Sequence, residues 1–227
     1  MKLKFTPLTE DEQLNEAVRG DLYHKTSFVY LNNILKEDKF ILSSTEDTSD
    51  DSDPWPESKF LGEPIPPGKP YYLSMARTPR SDFILESFEI GDVVLVLDGN
   101  KLSNRYTIKP VYWHRGSDER GRKNATEFEE RLWNSNPEIP NATKYIKAIH
   151  ALLPKCHYDA TAFWAALYWK KFAPLALKMI DEAEERHSLP LFFYTNKADV
   201  YSLNSSNAVP NDEVRKKAEE IMEAPKA

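Results

Sequence analysis

Seven glycines and a single cysteine are few for a chain of 227 residues, and each scarcity removes a class of chemistry. With Cys156 alone no intrachain disulfide can form, which is the usage expected of a protein made in a reducing cytoplasm. The sequence contains no glycine-rich phosphate loop of the Walker or Rossmann type, and seven glycines leave little room for one. The apolar runs, residues 93–97 (VVLVL) and 162–169 (AFWAALYW) among them, are far too short to cross a bilayer, so no membrane span is expected. The opening MKLKFTPLTEDEQ has no apolar core, so no secretory signal is expected either. His150, Cys156 and His157 come nearest to a metal cluster, but no fourth ligand stands at a standard spacing, and no metal site is expected.

What the chain does carry is apolar and aromatic. Hydrophobic residues make up 41% and aromatic residues 12%, enough to favour a folded globule over a disordered chain. The net charge of −6 argues against nucleic acid on its face, but the charge is unevenly spread. The first 63 residues are strongly acidic, whereas residues 64–125 hold ten Lys/Arg against seven Asp/Glu. A basic middle third on an acidic protein suits an anionic ligand such as a dinucleotide, DNA or RNA, and equally suits ordinary surface variation.

The patterning predicts an α+β fold in one domain spanning residues 1–227. A short helix or arm over 8–20 leads to a strand at Leu22–His24, and a helix over Phe28–Glu37 has Val29, Leu31, Ile34 and Leu35 as its apolar face. A strand follows at 40–43. Residues 45–70, rich in Ser, Thr, Asp and then Pro, predict a long lid-like loop in which Trp55 and Phe60 need a partner. Strands are predicted at Tyr71–Ala76 and Asp92–Leu97, a turn at Asp98-Gly99, and a strand at Thr107–Trp113 that Pro110 marks as an edge. A basic loop, 114–124, precedes strands at Glu129–Trp133 and Tyr145–Leu153. A helical segment over 158–188 reads as two helices, the first ending before Pro174 and the second running from Leu175 to Arg186. A strand at 191–195, another at 200–203 and a helix at 214–222 complete the chain.

Three separated pieces stand out in order: Leu22-Tyr23-His24-Lys25-Thr26-Ser27, then Tyr71-Tyr72-Leu73-Ser74-Met75-Ala76-Arg77, then Glu127-Phe128-Glu129-Glu130. The histidine strand is similar to the His-Gly-Thr/Ser motif of poly- and mono-ADP-ribosyltransferases, with Lys25 in the glycine position. The longer block LYHKTSFVYLNNILKEDKFILSS resembles the opening of DarT-type DNA ADP-ribosyltransferases, and Tyr71-Tyr72-Leu73-Ser74 with Arg77-Thr78-Pro79-Arg80-Ser81 resembles the strand and Arg-Pro segment that follow there. LDG (97–99), KPVYW (109–113) and TEFEERLW (126–133) look like segments of uncharacterised bacteriophage-encoded proteins. The resemblance spans roughly residues 21–153 in short blocks.

That resemblance implies split mixed and antiparallel sheets with flanking helices, NAD as substrate, and transfer of ADP-ribose to an acceptor such as a base of single-stranded DNA or RNA. His24, Thr26, Tyr72, Ser74 and Arg77 would hold NAD, with Tyr72 stacking nicotinamide and Arg77 on the diphosphate. Glu127, Glu129 and Glu130 compete for the catalytic place. Carried over from Glu-x-Glu transferases, Glu129 contacts the ribose and Glu127 serves the acceptor. Strand alternation puts Glu129, Arg131 and Trp133 on one face and Glu130 and Leu132 on the other; a core-facing Leu132 would turn Glu129 to the cleft. His114, Arg115, Arg120, Arg122 and Lys123, against Asp118 and Glu119, lie where such enzymes carry their acceptor loop, and Arg115, Arg120, Arg122 and Lys123 are the nucleic-acid candidates. The chemistry fits these residue types, because cleavage of the nicotinamide–ribose bond passes through an oxocarbenium-like state that a carboxylate stabilises. Two rival readings stay open: an inactive module of the same fold serving as a phage structural or host-interaction protein, and an unrelated nuclease or RNA-processing enzyme using His24, His114 and carboxylates. The aromatic run Phe163, Trp164, Leu167, Tyr168, Trp169 and Phe172 reads as core at helical spacing rather than as a base-stacking platform.

If residues 45–70 close over a dinucleotide, limited proteolysis should cut within them in the free protein and be suppressed by NAD. Equal cleavage with and without NAD would remove the lid.

Overall fold

The computed structural model describes residues 20–44, 67–79, 92–111, 129–153 and 162–224. The predicted arm at 8–19, most of the lid, Arg80, the 114–124 loop and Glu127 lie outside the described residues. The fold is α+β, as the patterning predicts: one mixed sheet with helices against it.

The sheet is assembled around the most apolar segment. Strand β5 (Asp92–Asp98) is buried along its length. It pairs antiparallel on one side with β1 (Asp21–Ser27), His24 facing Leu95. On its other side lies β9 (Ile146–Leu152). Strand β10 (Leu191–Tyr194) adds to β9 in parallel. Beyond β1 come β4 (Tyr71–Ala76), β7 (Glu129–Asn134) and β6 (Thr107–Val111), so the order is β10-β9-β5-β1-β4-β7-β6, with the two-residue strand β3 (Ser43–Ser44) also on β4. As expected, the proline-bearing β6 is the outermost strand of its half. A separate ribbon pairs β2 (Lys39–Ile41) with β8 (Glu138–Pro140).

Helix α1 (Phe28–Glu37) starts where Ser27 caps it, its Oγ accepting from the Tyr30 N–H. It buries Phe28, Leu31, Asn32, Ile34 and Leu35. Val29, expected on that face, is exposed instead, because the i, i+3, i+4, i+7 stripe runs through 28, 31, 32 and 35. The helix ends at Asp38 in the left-handed conformation (φ 49°). Asp38 holds that turn by accepting from the backbone and hydroxyl of Thr143 at 2.8 and 2.7 Å.

Four predicted elements differ. The strand at 40–43 is two short strands in different sheets, parted at Leu42, whose N–H donates to the Pro137 carbonyl at 2.8 Å. The turn at Asp98-Gly99 is the start of a short helix, α2 (Gly99–Ser103), because the Asp98 carboxylate accepts from the Lys101 N–H. Pro174 does not end a helix: α3 (Ala162–Ile180) runs through it and closes in a π-helical turn over Asp181–Arg186. Tertiary packing outweighs the lost hydrogen bond there, with Phe172 edge-on to Phe28 at 5.4 Å and the Leu175 carbonyl accepting from Asn32. The predicted strand at 200–203 belongs to helix α4 (Lys197–Ser202), which Asn196 caps through the Ala198 N–H. Helix α5 (Asn211–Glu223) then packs on α3, where Lys217 lies 4.4 Å from the Trp169 ring. Trp169 and Phe172 are core, as expected, while Tyr168 is exposed. No helix among the described residues is long and apolar enough to cross a membrane.

The two faces of the sheet bury different clusters. One packs Leu22, Met75, Leu95, Leu132 and Phe193 with α1, α3 and α5. The other gathers Ala76, Val94, Leu152, Tyr194 and Val200, with Tyr23 and Phe192 against them. On this second face His150 is 4% exposed, stacked on Phe192 and Tyr194 and bonded through Nδ1 to the Tyr194 hydroxyl at 2.9 Å. Burial lowers its pKa from 6.5 to about 4, and burial, aided by Asp199, raises that of Tyr194 to about 12. A histidine that binds its proton more weakly folded than unfolded leaves stability intact above its unfolded pKa and erodes it as pH falls from there to the folded value. Unfolding free energy should therefore fall between pH 6.5 and about 4, with about 3 kcal/mol from His150. His150→Gln, measured by urea unfolding across that window, should flatten the dependence; an unchanged slope would place the proton uptake elsewhere.

Candidate functional site

The feature that makes a site here is an interruption in pairing. Strand β7 takes one whole edge of β4, from Tyr71 facing Asn134 to Ala76 facing Glu129. The opposite edge is shared by β1, which meets it at the single pair Tyr23/Ala76, and by β3, which meets it at Ser43/Tyr72 and Ser44/Tyr71. Among the described residues no strand pairs with Leu73, Ser74 or Met75 along that edge. Beyond Tyr23 the two halves of the sheet part.

His24 stands at the point of parting. Its Nδ1 lies 2.8 Å from the Ser74 carbonyl oxygen. A carbonyl can only accept, so Nδ1 carries the proton and Nε2 presents a lone pair. Burial lowers the His24 pKa, against a smaller rise from that carbonyl, so the ring is neutral near pH 7. The side chain thus does what a backbone pair would do in an unbroken ladder and leaves an acceptor nitrogen available to a hydroxyl.

Alternation divides the candidate residues between two faces. Since Tyr23 pairs directly with Ala76, those two share a face, and His24, Thr26, Met75 and Arg77 share the other. Met75 faces Glu130 across β4 and β7, so Glu130 joins His24, Thr26 and Arg77. The Cα atoms of His24 and Glu130 lie on strands two spacings apart, roughly 10 Å. Tyr72 and Ser74 fall on the opposite face, with Trp133 and Arg131. Leu132 is core-facing, as expected, yet the parting strands put the histidine on that same side, and Glu130 lies with it. Ser74 reaches His24 through its carbonyl. Tyr72 is packed beside Trp133 (ring centroids 5.6 Å apart), and the Arg131 guanidinium lies 4.4 Å from its ring centre. That stacking commits the ring to Arg131.

Glu130 is the unusual residue. Its side chain is 1% exposed, between Met75 and Leu132 at core positions. Isolating a carboxylate there costs several kcal/mol unless it is paired. The partner is Arg77, whose Nε donates to Glu130 Oε1 while its side chain stays 39% exposed. Arg77 lies two residues along β4 from Met75, the diagonal position from Glu130, so the pair follows from register. A buried ion pair is seldom better for stability than an apolar pair of the same volume, and its presence on a core face beside a pairing gap marks a functional candidate. The sequence signal for it was the break in alternation, a charge at 130 with leucine at 132.

Lys25 lies on the far face from His24 and Thr26, where it pairs with Asp92 at 3.1 Å. Its side chain therefore does not occupy the gap. Among the described residues no group of three His, Cys, Asp or Glu is placed to hold a metal ion.

Neither the protein-family models nor the curated proteins compared with the chain match it. Among solved structures, DarT of Thermus sp. 2.9 in complex with NAD+ is similar, at 11% sequence identity and a TM-score of 0.43, covering 81% of this chain and 98% of that one.

Proposed function

We propose that this protein is an ADP-ribosyltransferase that takes NAD as substrate and passes ADP-ribose to a nucleic-acid base. The observation that carries the reading is the convergence on one face, at the interruption of β4, of a neutral histidine with a fixed tautomer, a threonine two residues on, and a buried carboxylate. These residue types match those of the ADP-ribosyltransferases that the sequence resembles.

In this reading NAD lies in the gap between β1 and β4. His24 Nε2 accepts from a ribose hydroxyl, and Thr26 offers its own hydroxyl beside it. Glu130 takes the ribose-side role expected of Glu129. Its carboxylate accepts from the 2′-hydroxyl of the nicotinamide ribose and stabilises the positive charge that grows on C1′. The bond from C1′ to the nicotinamide nitrogen breaks with its electron pair going to the ring, which leaves neutral. A nucleophilic atom of the acceptor base forms the new bond to C1′ and releases its proton to solvent; water in its place gives ADP-ribose. The basic 114–124 segment, with Arg115, Arg120, Arg122 and Lys123, precedes β7 and is the proposed acceptor contact, with single strands favoured because a paired base would first have to be extruded.

Glu130→Gln should cut nicotinamide release about 100-fold or more, the scale set by loss of one preorganised electrostatic contact, while the protein still folds. Glu129→Gln should keep most of the activity. Release measured by mass spectrometry decides between them: a dead Glu129→Gln beside an active Glu130→Gln would return the role to Glu129, and a wild-type protein that leaves NAD intact would sink the transferase reading.

Replacing Arg120, Arg122 and Lys123 together with Ala should reduce labelling of DNA or RNA from labelled NAD but spare hydrolysis of NAD, since water needs no docking surface. The slope of log affinity against log salt for single strands should become shallower by about two units. Label found only on protein would overturn the nucleic-acid acceptor.

A further inference from the structure

Resting on that reading, we infer that Arg77 is the positioning residue of the carboxylate, holding Glu130 ionised and in one orientation, rather than the ligand of the NAD diphosphate. The geometry separates the two roles. A diphosphate ligand would aim its guanidinium at the open gap and answer to the substrate. Arg77 instead gives its Nε to Glu130 Oε1, and the partner it serves is a carboxylate with a side chain 1% exposed.

The pair is built to do this. Glu130 faces Met75 directly, and Arg77 takes the next position of β4 on the same face, so the guanidinium reaches the carboxylate along the diagonal of the ladder. Nε is the donor nearest the stem of arginine, and here it is the nitrogen that meets the carboxylate. One carboxylate oxygen is thereby fixed by a charge-assisted bond, which sets the plane of the group and the direction of the other oxygen. A carboxylate that must meet a ribose hydroxyl and a developing charge at C1′ gains its effect from being held in place before substrate arrives.

The test is a split between kcat and KM in NAD cleavage. Arg77→Gln should lower kcat about 100-fold, the scale of a misplaced catalytic group, with KM for NAD changed by less than about threefold. Arg77→Lys, which keeps the cation and shortens the fork, should recover about tenfold of that loss. Circular dichroism confirms folding, and if Arg77→Gln does not fold, Arg77→Lys against wild type carries the comparison through the same kcat–KM split. In the double variant Arg77→Gln/Glu130→Gln the two losses in kcat should not add, because both variants spoil one group. A KM raised tenfold or more at constant kcat, or fully additive losses, would overturn the positioning role and leave the transferase standing. A wild-type protein inert toward NAD would overturn the transferase reading, and the positioning role would fall with it.

Discussion

One hydrogen bond replaces a stretch of β-ladder, and the arrangement of the site depends on it. Strands β1 and β4 meet at Tyr23/Ala76 and then part, leaving an edge of β4 to be satisfied by something other than a strand. Backbone groups at depth are costly without partners. The His24 imidazole supplies one for Ser74 at 2.8 Å. It fixes its own tautomer in doing so, and it holds the two halves of the sheet at a spacing a side chain can bridge. A site that is a gap in a sheet has rigid walls on both sides, since β1 is laddered along its whole length to β5 and β4 to β7. Groups placed on strands keep their positions better than groups on loops.

The second constraint is electrostatic. A core face is a poor place for Glu130, and the pairing with Arg77 makes it tolerable. Across the sheet, on the other face, burial pushes His150 down to about 4 and keeps it neutral too. His24 is lowered in the same direction. Both imidazoles are thus neutral near pH 7, so neither contributes a cation to compete with Arg77 for Glu130. The guanidinium that lies against that carboxylate is placed there by register.

Much of this was legible in the residues, and what was not has identifiable causes. Helix α1 and strands β4 and β5 follow their periodicity closely, because α1 has an apolar stripe and a capping serine and β5 is apolar from Val93 to Leu97. Pro174 misled because local propensity spoke against a helix that Phe28, Asn32 and α5 hold together from outside. Residues 200–203 misled because two β-branched or aromatic residues outweighed the capping Asn196 four positions earlier. Of the residues expected at the site, His24, Thr26 and Arg77 share a face. Tyr72 and Ser74 were assigned from the same strand without its alternation, which sends their side chains to the other side. Which glutamate shares the histidine's face depends on the register between β4 and β7, and no single strand contains that information.

The same alternation explains why Lys25 can stand where the resembled motif carries glycine. A residue between His24 and Thr26 must project away from the face they share. In this chain that far side offers Asp92, placed diagonally because Ser27 faces Asp92 and Lys25 faces Val94. The ammonium reaches it at 3.1 Å. Glycine at such a place avoids a side chain altogether, while lysine with an acidic partner on the neighbouring strand carries one and ties it down. Lysine at this place leaves the histidine face clear of its side chain. What it does change is stiffness: a Cβ restricts the backbone of β1 at residue 25, and the ion pair to β5 adds a side-chain tie beside the point where β1 and β4 separate.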